Sequence, residues 1–146
     1  MYNVLVVWAP DSAENRKLVD AVARALEQAK VTLVVKSAAE AVISDVTAAD
    51  IIVFGAQKSA SADTPSEYSE FLRIFKGILL AGRTAGFFSL GAEKATARLR
   101  KALKDTEIVQ SDDDPLWSDG KQGAPSVNEW SERLIGSHQE MHRARE

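Results

Sequence analysis

The sequence predicts one doubly wound α/β domain, a parallel β-sheet held between two layers of helices. Three observations predict it. Short apolar runs alternate with amphipathic stretches along nearly all of the 146 residues. The runs are rich in β-branched and aromatic residues, and the first three are almost continuously apolar, as strands covered on both faces are. The stretches between them repeat apolar residues at helical spacing. The resulting order βαβαβαβαβα calls for right-handed crossovers within one parallel sheet. The length suits a single core, with no internal repeat or linker.

The first strand is Val4-Leu5-Val6-Val7-Trp8. A helix over about 12–29 follows, with Leu18, Val22, Leu26 and Ala29 on one stripe and Val19 and Ala25 beside it. The second strand is Val31 to Val35, and a short helix over about 38–46 leads to the third, Ile51 to Phe54. The strongest stripe, over about 65–80, carries Tyr68, Phe71, Leu72, Phe75, Ile78 and Leu79. Thr64 as N-cap, Pro65 and Glu67 mark its start. The fourth strand is Ala85 to Phe88, and the next helix, over about 92–104, aligns Ala92, Ala95, Leu99, Ala102 and Leu103. The fifth strand is Ile108-Val109, and Ser111 to Pro125 is turn-rich with a run of aspartates. The last helix is expected from Ser126, with Glu129 completing a capping box and Val127, Trp130 and Leu134 facing inward. The domain spans residues 1–136, and 137–146 reads as a polar tail of frayed helix.

Composition excludes several classes of function. Hydrophobic residues make up 45% and charged residues 27%, a globular balance. A net charge of -3 offers no nucleic-acid or anionic-membrane surface. With no cysteine there are no disulfides, thiolate nucleophiles or cysteine-ligated metals. No apolar run reaches the ~18–20 residues of a membrane span. The opening MYNVLVVWAP lacks a signal-peptide pattern, so a cytoplasmic protein is expected. P-loop and dinucleotide fingerprints are missing, Ser89 lacks the first glycine of a hydrolase elbow, and the third strand ends Phe54-Gly55 rather than in an aspartate. His138 and His142, four apart in the tail, read as solvated rather than metal-bound. No metal site and no catalytic constellation is expected.

The segments VLVVWAPDSAENRKLVDAVARAL, ADIIVFGA and EYSEFLRIFKGILLAGRTAGFFSLGA resemble the flavodoxin family in its short-chain form, over nearly the whole chain. The resemblance implies a flavodoxin-like three-layer sandwich. Its five-stranded parallel sheet would have the order 2-1-3-4-5, with ligand at the switch point between strands 1 and 3. It also implies FMN, whose phosphate the family wraps in a Ser/Thr/Gly-rich loop at the start of the first helix. The equivalent positions here are Pro10, Asp11, Ser12, Ala13, Glu14 and Asn15, and the isoalloxazine loops map to Gln57, Lys58, Ser59 and to Ser89, Leu90, Gly91.

These positions depart from the family pattern. Ser12 and Asn15 can donate to a phosphate, whereas Pro10 has no N–H and Ala13 stands where the family has glycine. Asp11 with Glu14 reads as a capping box, so the helix start already holds its own anions. Neither ring loop contains an aromatic residue; Trp8 and Tyr68 read as core, and Trp117 as cover for the core. Two readings follow. One is a flavodoxin-like protein with a degenerate FMN site, flavin-free or a weak FMN binder, acting through a protein partner at the C-terminal edge of the sheet. The other is an FMN-dependent one-electron carrier with an atypical phosphate loop.

Overall fold

In the computed structural model, which describes residues 2–58, 64–91, 93–110, 116–118 and 124–144, the first apolar run forms β1 (Asn3–Ala9). The helical stripe after it forms α1 (Ala13–Glu27), and then come β2 (Thr32–Ser37), α2 (Ile43–Thr47) and β3 (Ile51–Gln57). A 3-10 turn at Ser66–Tyr68 runs into α3 (Ser69–Ile74), followed by β4 (Thr84–Leu90), a 3-10 turn at Glu93–Thr96 and α4 (Ala97–Leu103). β5 (Val109–Gln110), β6 (Leu116–Ser118) and α5 (Ala124–Ala144) complete the described elements. All strand pairs are parallel, in the order β2-β1-β3-β4-β5, as expected. β5 pairs with Thr84 and Ala85, and β6 continues along the same strand opposite Phe88 to Leu90.

The continuous apolar strands are explained by two cores. Val4, Val6 and Trp8 of β1 face α1 and α5, while Leu5, Val7 and Ala9 face α3 and α4. Successive side chains of a strand point to opposite faces, so helices on both faces leave no polar side. Close approach is decided at two glycines. A Cβ on Gly55 would stand 1.9 Å from the Phe88 ring, and one on Gly86 2.8 Å from Leu134 of α5. Beneath β1 and β3 the buried Tyr68 hydroxyl shares its proton between the carbonyls of Val7 (3.0 Å) and Gly55 (2.6 Å).

Several boundaries differ from the sequence reading, for identifiable reasons. α1 ends at Glu27, so Ala29 lies beyond it and is exposed. α2 starts later than expected because the Asp45 carboxylate accepts from the Val42 N–H (2.9 Å) and sets the first turn there. Thr64 does not cap α3: its hydroxyl donates to the carbonyl of Ala95 (3.2 Å), and Pro65 has an extended ψ of 140°. The helix also stops at Ile74, leaving Leu79 62% exposed while Leu80 is buried, its N–H donating to Thr106. α4 proper is preceded by the 3-10 turn at Glu93–Thr96, and Ala92 lies outside the described residues.

The turn-rich stretch contains β6, and the last helix starts at Ala124, upstream of the Ser126 cap. Pro125 sits in its first turn, where a proline N–H is not missed. The tail is helical through Ala144, and His138 on it is buried rather than solvated as expected. Its Nδ1 lies 2.8 Å from the Thr84 hydroxyl, the Tyr2 ring meets it edge-on, and His142 stacks at 6.4 Å.

Two outcomes test this account. Tyr68→Phe keeps the ring and removes the shared proton, so it should destabilise the fold by about 1–3 kcal/mol in urea unfolding. Burial pushes His138 below its ordinary value of 6.5, with Asp50 opposing the shift and His142 adding to it. A lowered folded pKa means that the unfolded chain binds the proton first. The stability tied to neutral His138 is therefore complete above the ordinary histidine range and is lost as pH falls through the folded value. Unfolding free energy should fall between about pH 7 and about pH 5. His138→Gln should flatten that slope; an unaltered slope would show that other groups cause it.

Candidate functional site

The switch point of the sheet lies where β1 and β3 end side by side, with Ala9 opposite Ala56. From there the chain crosses the cis Ala9–Pro10 bond and enters α1. Ser12 is the N-cap: its backbone is extended and its Oγ accepts from the Asn15 N–H (3.1 Å). This corrects the expected Asp11–Glu14 capping box. Asp11 turns outward to Arg16 in a two-pronged pair at 2.6 and 2.9 Å, and the guanidinium lies over Trp8. The hydrogen bond from Arg16 holds the Asp11 carboxyl below the usual range.

The remaining groups of the loop satisfy one another. Ser12 Oγ donates to Gln57 Oε1 (2.5 Å), and Gln57 Nε2 donates to Glu14 Oε2 (3.2 Å). The carboxamide at the end of β3 thus bridges the N-cap hydroxyl and the first-turn carboxylate of α1. Asn15 is fully buried and its Nδ2 donates to the Pro10 carbonyl (3.1 Å), folding the loop onto the helix. Its Oδ1 has no hydrogen-bond partner among the described residues.

On the second side, the Lys58 N–H donates to the Leu90 carbonyl (3.1 Å) and its side chain is exposed. Gly91, at a φ of +88°, lets the two loops close against each other. Ser89 and Leu90 are not loop residues: both lie in β4 and are buried, Ser89 opposite Thr96 at 3.5 Å and Leu90 in the α1–α5 core. Ser59 lies outside the described residues, as does the Trp117 side chain, although its backbone pairs with Ser89. The structure therefore brings Pro10, Ser12, Glu14, Asn15 and Gln57 together and leaves Asp11 and Ala13 exposed at the rim. What sequence reading missed is the Ser12–Gln57–Glu14 bridge. Gln57 at its centre is 45 residues from Ser12 and 43 from Glu14, and no local pattern announces it.

No protein-family model matches the sequence, and no curated protein matches it. Solved structures do match. A short-chain flavodoxin associated with a PDU bacterial microcompartment superposes with a TM-score of 0.83 at 18% identity, over 94% of this chain and 99% of that one. Flavodoxin 2 of Bacillus cereus, in its oxidised form, gives 0.79 at 15% identity, over 92% and 98%. The flavodoxin of Streptococcus pneumoniae TIGR4 gives 0.75 at 16%, over 92% and 98%. The chain has the flavodoxin fold.

A flavin phosphate at this helix start would meet groups that are already hydrogen-bonded to one another. The helix start offers orphan N–H groups, but the Ser12 hydroxyl is engaged on both sides and Gln57 lies across the turn. A phosphate charge about 5 Å from Glu14 would meet repulsion of about 3 kcal/mol at an effective dielectric near 20. Arg16, the nearest compensating cation in sequence, is held by Asp11. Among the described residues no group of His, Asp and Glu is placed to hold a metal, and no helix is long and apolar enough to cross a membrane.

Ser12→Ala removes the N-cap and the link to Gln57 together. It should cost about 1 kcal/mol of stability and accelerate hydrogen exchange of the Asn15 amide.

Proposed function

We infer that this chain is a cytoplasmic flavodoxin-like protein whose FMN site is degenerate, flavin-free or weakly binding, and that it works by contact with another protein. The observation that carries this reading is the Ser12–Gln57–Glu14 bridge. The positions equivalent to the phosphate seat are closed by the protein's own carboxamide and carboxylate. The docking surface is the C-terminal edge of the sheet, where Asp11, Lys58 and the Gly91 turn are exposed around the closed loop. No independent catalytic cycle is assigned.

A second reading, an FMN-dependent one-electron carrier, draws on one specific observation. The buried Asn15 Oδ1 has no hydrogen-bond donor among the described residues, and leaving an acceptor so costs about 1–3 kcal/mol. A ligand hydroxyl reaching it would relieve that cost. In this case the loop would have to open, with Ser12, Asn15 and backbone N–H groups holding the phosphate. The flavin, when bound, supplies the electron chemistry.

Titration of the purified protein with FMN separates the two. Binding weaker than about a micromolar dissociation constant, with no flavin colour on purification, is expected. Submicromolar binding would reject the first reading. Glu14→Thr combined with Gln57→Ser removes the bridge and the nearest charge, and should tighten FMN binding at least about tenfold, the equivalent of one lost charge contact. An unchanged affinity would mean that the bridge is not what closes the site.

A further inference from the structure

We propose that the cleft between α3 and α4 is a binding site for an organic anion with an apolar body, such as a carboxylate or phosphate ester of a hydrocarbon. The cleft encloses about 400 Å³ and is lined by Leu72, Lys76, Arg98, Lys101, Ala102 and Asp105. That volume lies in the range of small-molecule sites. Leu72 and Ala102 are half-buried and pack against the core beneath, which gives the cleft an apolar floor. On α4 the lining positions 98, 101 and 102 follow the spacing of one helical face, and Asp105 lies in the 3-10 turn after it, Lys104–Thr106, so the turn repeat lines up Arg98 and Lys101 above that floor.

The chain segment that builds this cleft differs in charge from the rest of the sequence. Residues 70–107 hold eight Lys and Arg against four Asp and Glu, a net +4, which leaves -7 on the remainder of a chain whose total is -3. Arg16, Lys36 and Arg73 are each paired with a carboxylate. Lys76, Arg98 and Lys101 are exposed and enter no ion pair among the described residues, and Asp105 is the one carboxylate in the lining. Three cations against one carboxylate around one depression leave an excess of positive charge that draws in an anion. The floor adds a second requirement. An inorganic anion leaves Leu72 and Ala102 wet, and a neutral hydrocarbon leaves the cations unmatched. Only a molecule with both parts uses the whole site. The cleft lies on the sheet face opposite α1, so the assignment does not depend on how the loop at residues 10–15 treats FMN.

The test is a methyl and amide NMR titration of the full chain at low salt with three probes: octanoate, 1-octanol and inorganic phosphate. Octanoate should shift the Leu72 and Ala102 methyl signals saturably. Octanol should bind at least about tenfold more weakly, as expected for loss of charge-assisted contacts, and phosphate should leave the methyl signals in place. Arg98→Glu with Lys101→Glu should weaken octanoate binding at least about tenfold while the circular dichroism spectrum is unchanged. Lys17→Glu with Arg24→Glu, the same charge change on the other face, should leave it within about twofold. Equal affinity for octanol and octanoate would overturn the proposal. So would an unaltered affinity in the cleft variant, equal losses in both variants, or octanoate shifts confined to other residues or absent.

Discussion

The hydroxyl of Tyr68 ties together the two strands whose ends form the switch point of the sheet. Its proton is shared by Val7 of β1 and Gly55 of β3, each two residues before the end of its strand. Burial raises its pKa well above the ordinary tyrosine value, against the opposing effect of the Gly55 carbonyl, so the group stays a donor throughout the working pH range. The ring meanwhile meets Phe54 and Phe71 in the core below the sheet. One side chain therefore fixes the spacing of β1 and β3 and anchors the start of α3. The geometry of the loop at residues 10–15 follows from that spacing, because Gln57 reaches Ser12 only when the two strands end level.

The same region shows how far the fold is independent of the polar groups in its loops. The sheet order, the crossovers and the two apolar layers depend on burial and strand alternation, and these are insensitive to what stands at the tip of a loop. The loop itself is stabilised from within. Ser12 caps the helix, Gln57 spans the turn, Asn15 holds the Pro10 carbonyl and Arg16 neutralises Asp11. Such a helix start needs no anion for its own stability.

Where sequence reading succeeded, the signal was periodic and redundant. The stripe Leu18, Val19, Val22, Ala25 and Leu26 is buried as the spacing requires, and so are Phe71, Leu99, Leu103, Trp130 and Leu134. It faltered where one side chain chose between two partners. Thr64 had a helix to cap and took the carbonyl of Ala95 instead. Asp11 had the same choice and took Arg16. His138 looked solvated because its neighbours are polar, yet Thr84, 54 residues away, draws it inward and carries α5 to Ala144. Local pattern cannot rank a near partner against a distant one, since the distant one exists only after folding.

By itself the sequence determined the class of fold, the parallel sheet with helices on both faces, the strand cores and the helix stripes, because hydrophobic periodicity is a property of successive residues. It also excluded cysteine chemistry and the common nucleotide fingerprints. Only the tertiary structure decided which polar groups of the first loop meet across the β1–β3 gap, and that Lys76 after α3 and Arg98 and Lys101 of α4 surround one apolar floor. These depend on side chains from segments tens of residues apart being held within hydrogen-bonding reach or around one cleft. That distance is set by packing, not by order along the chain.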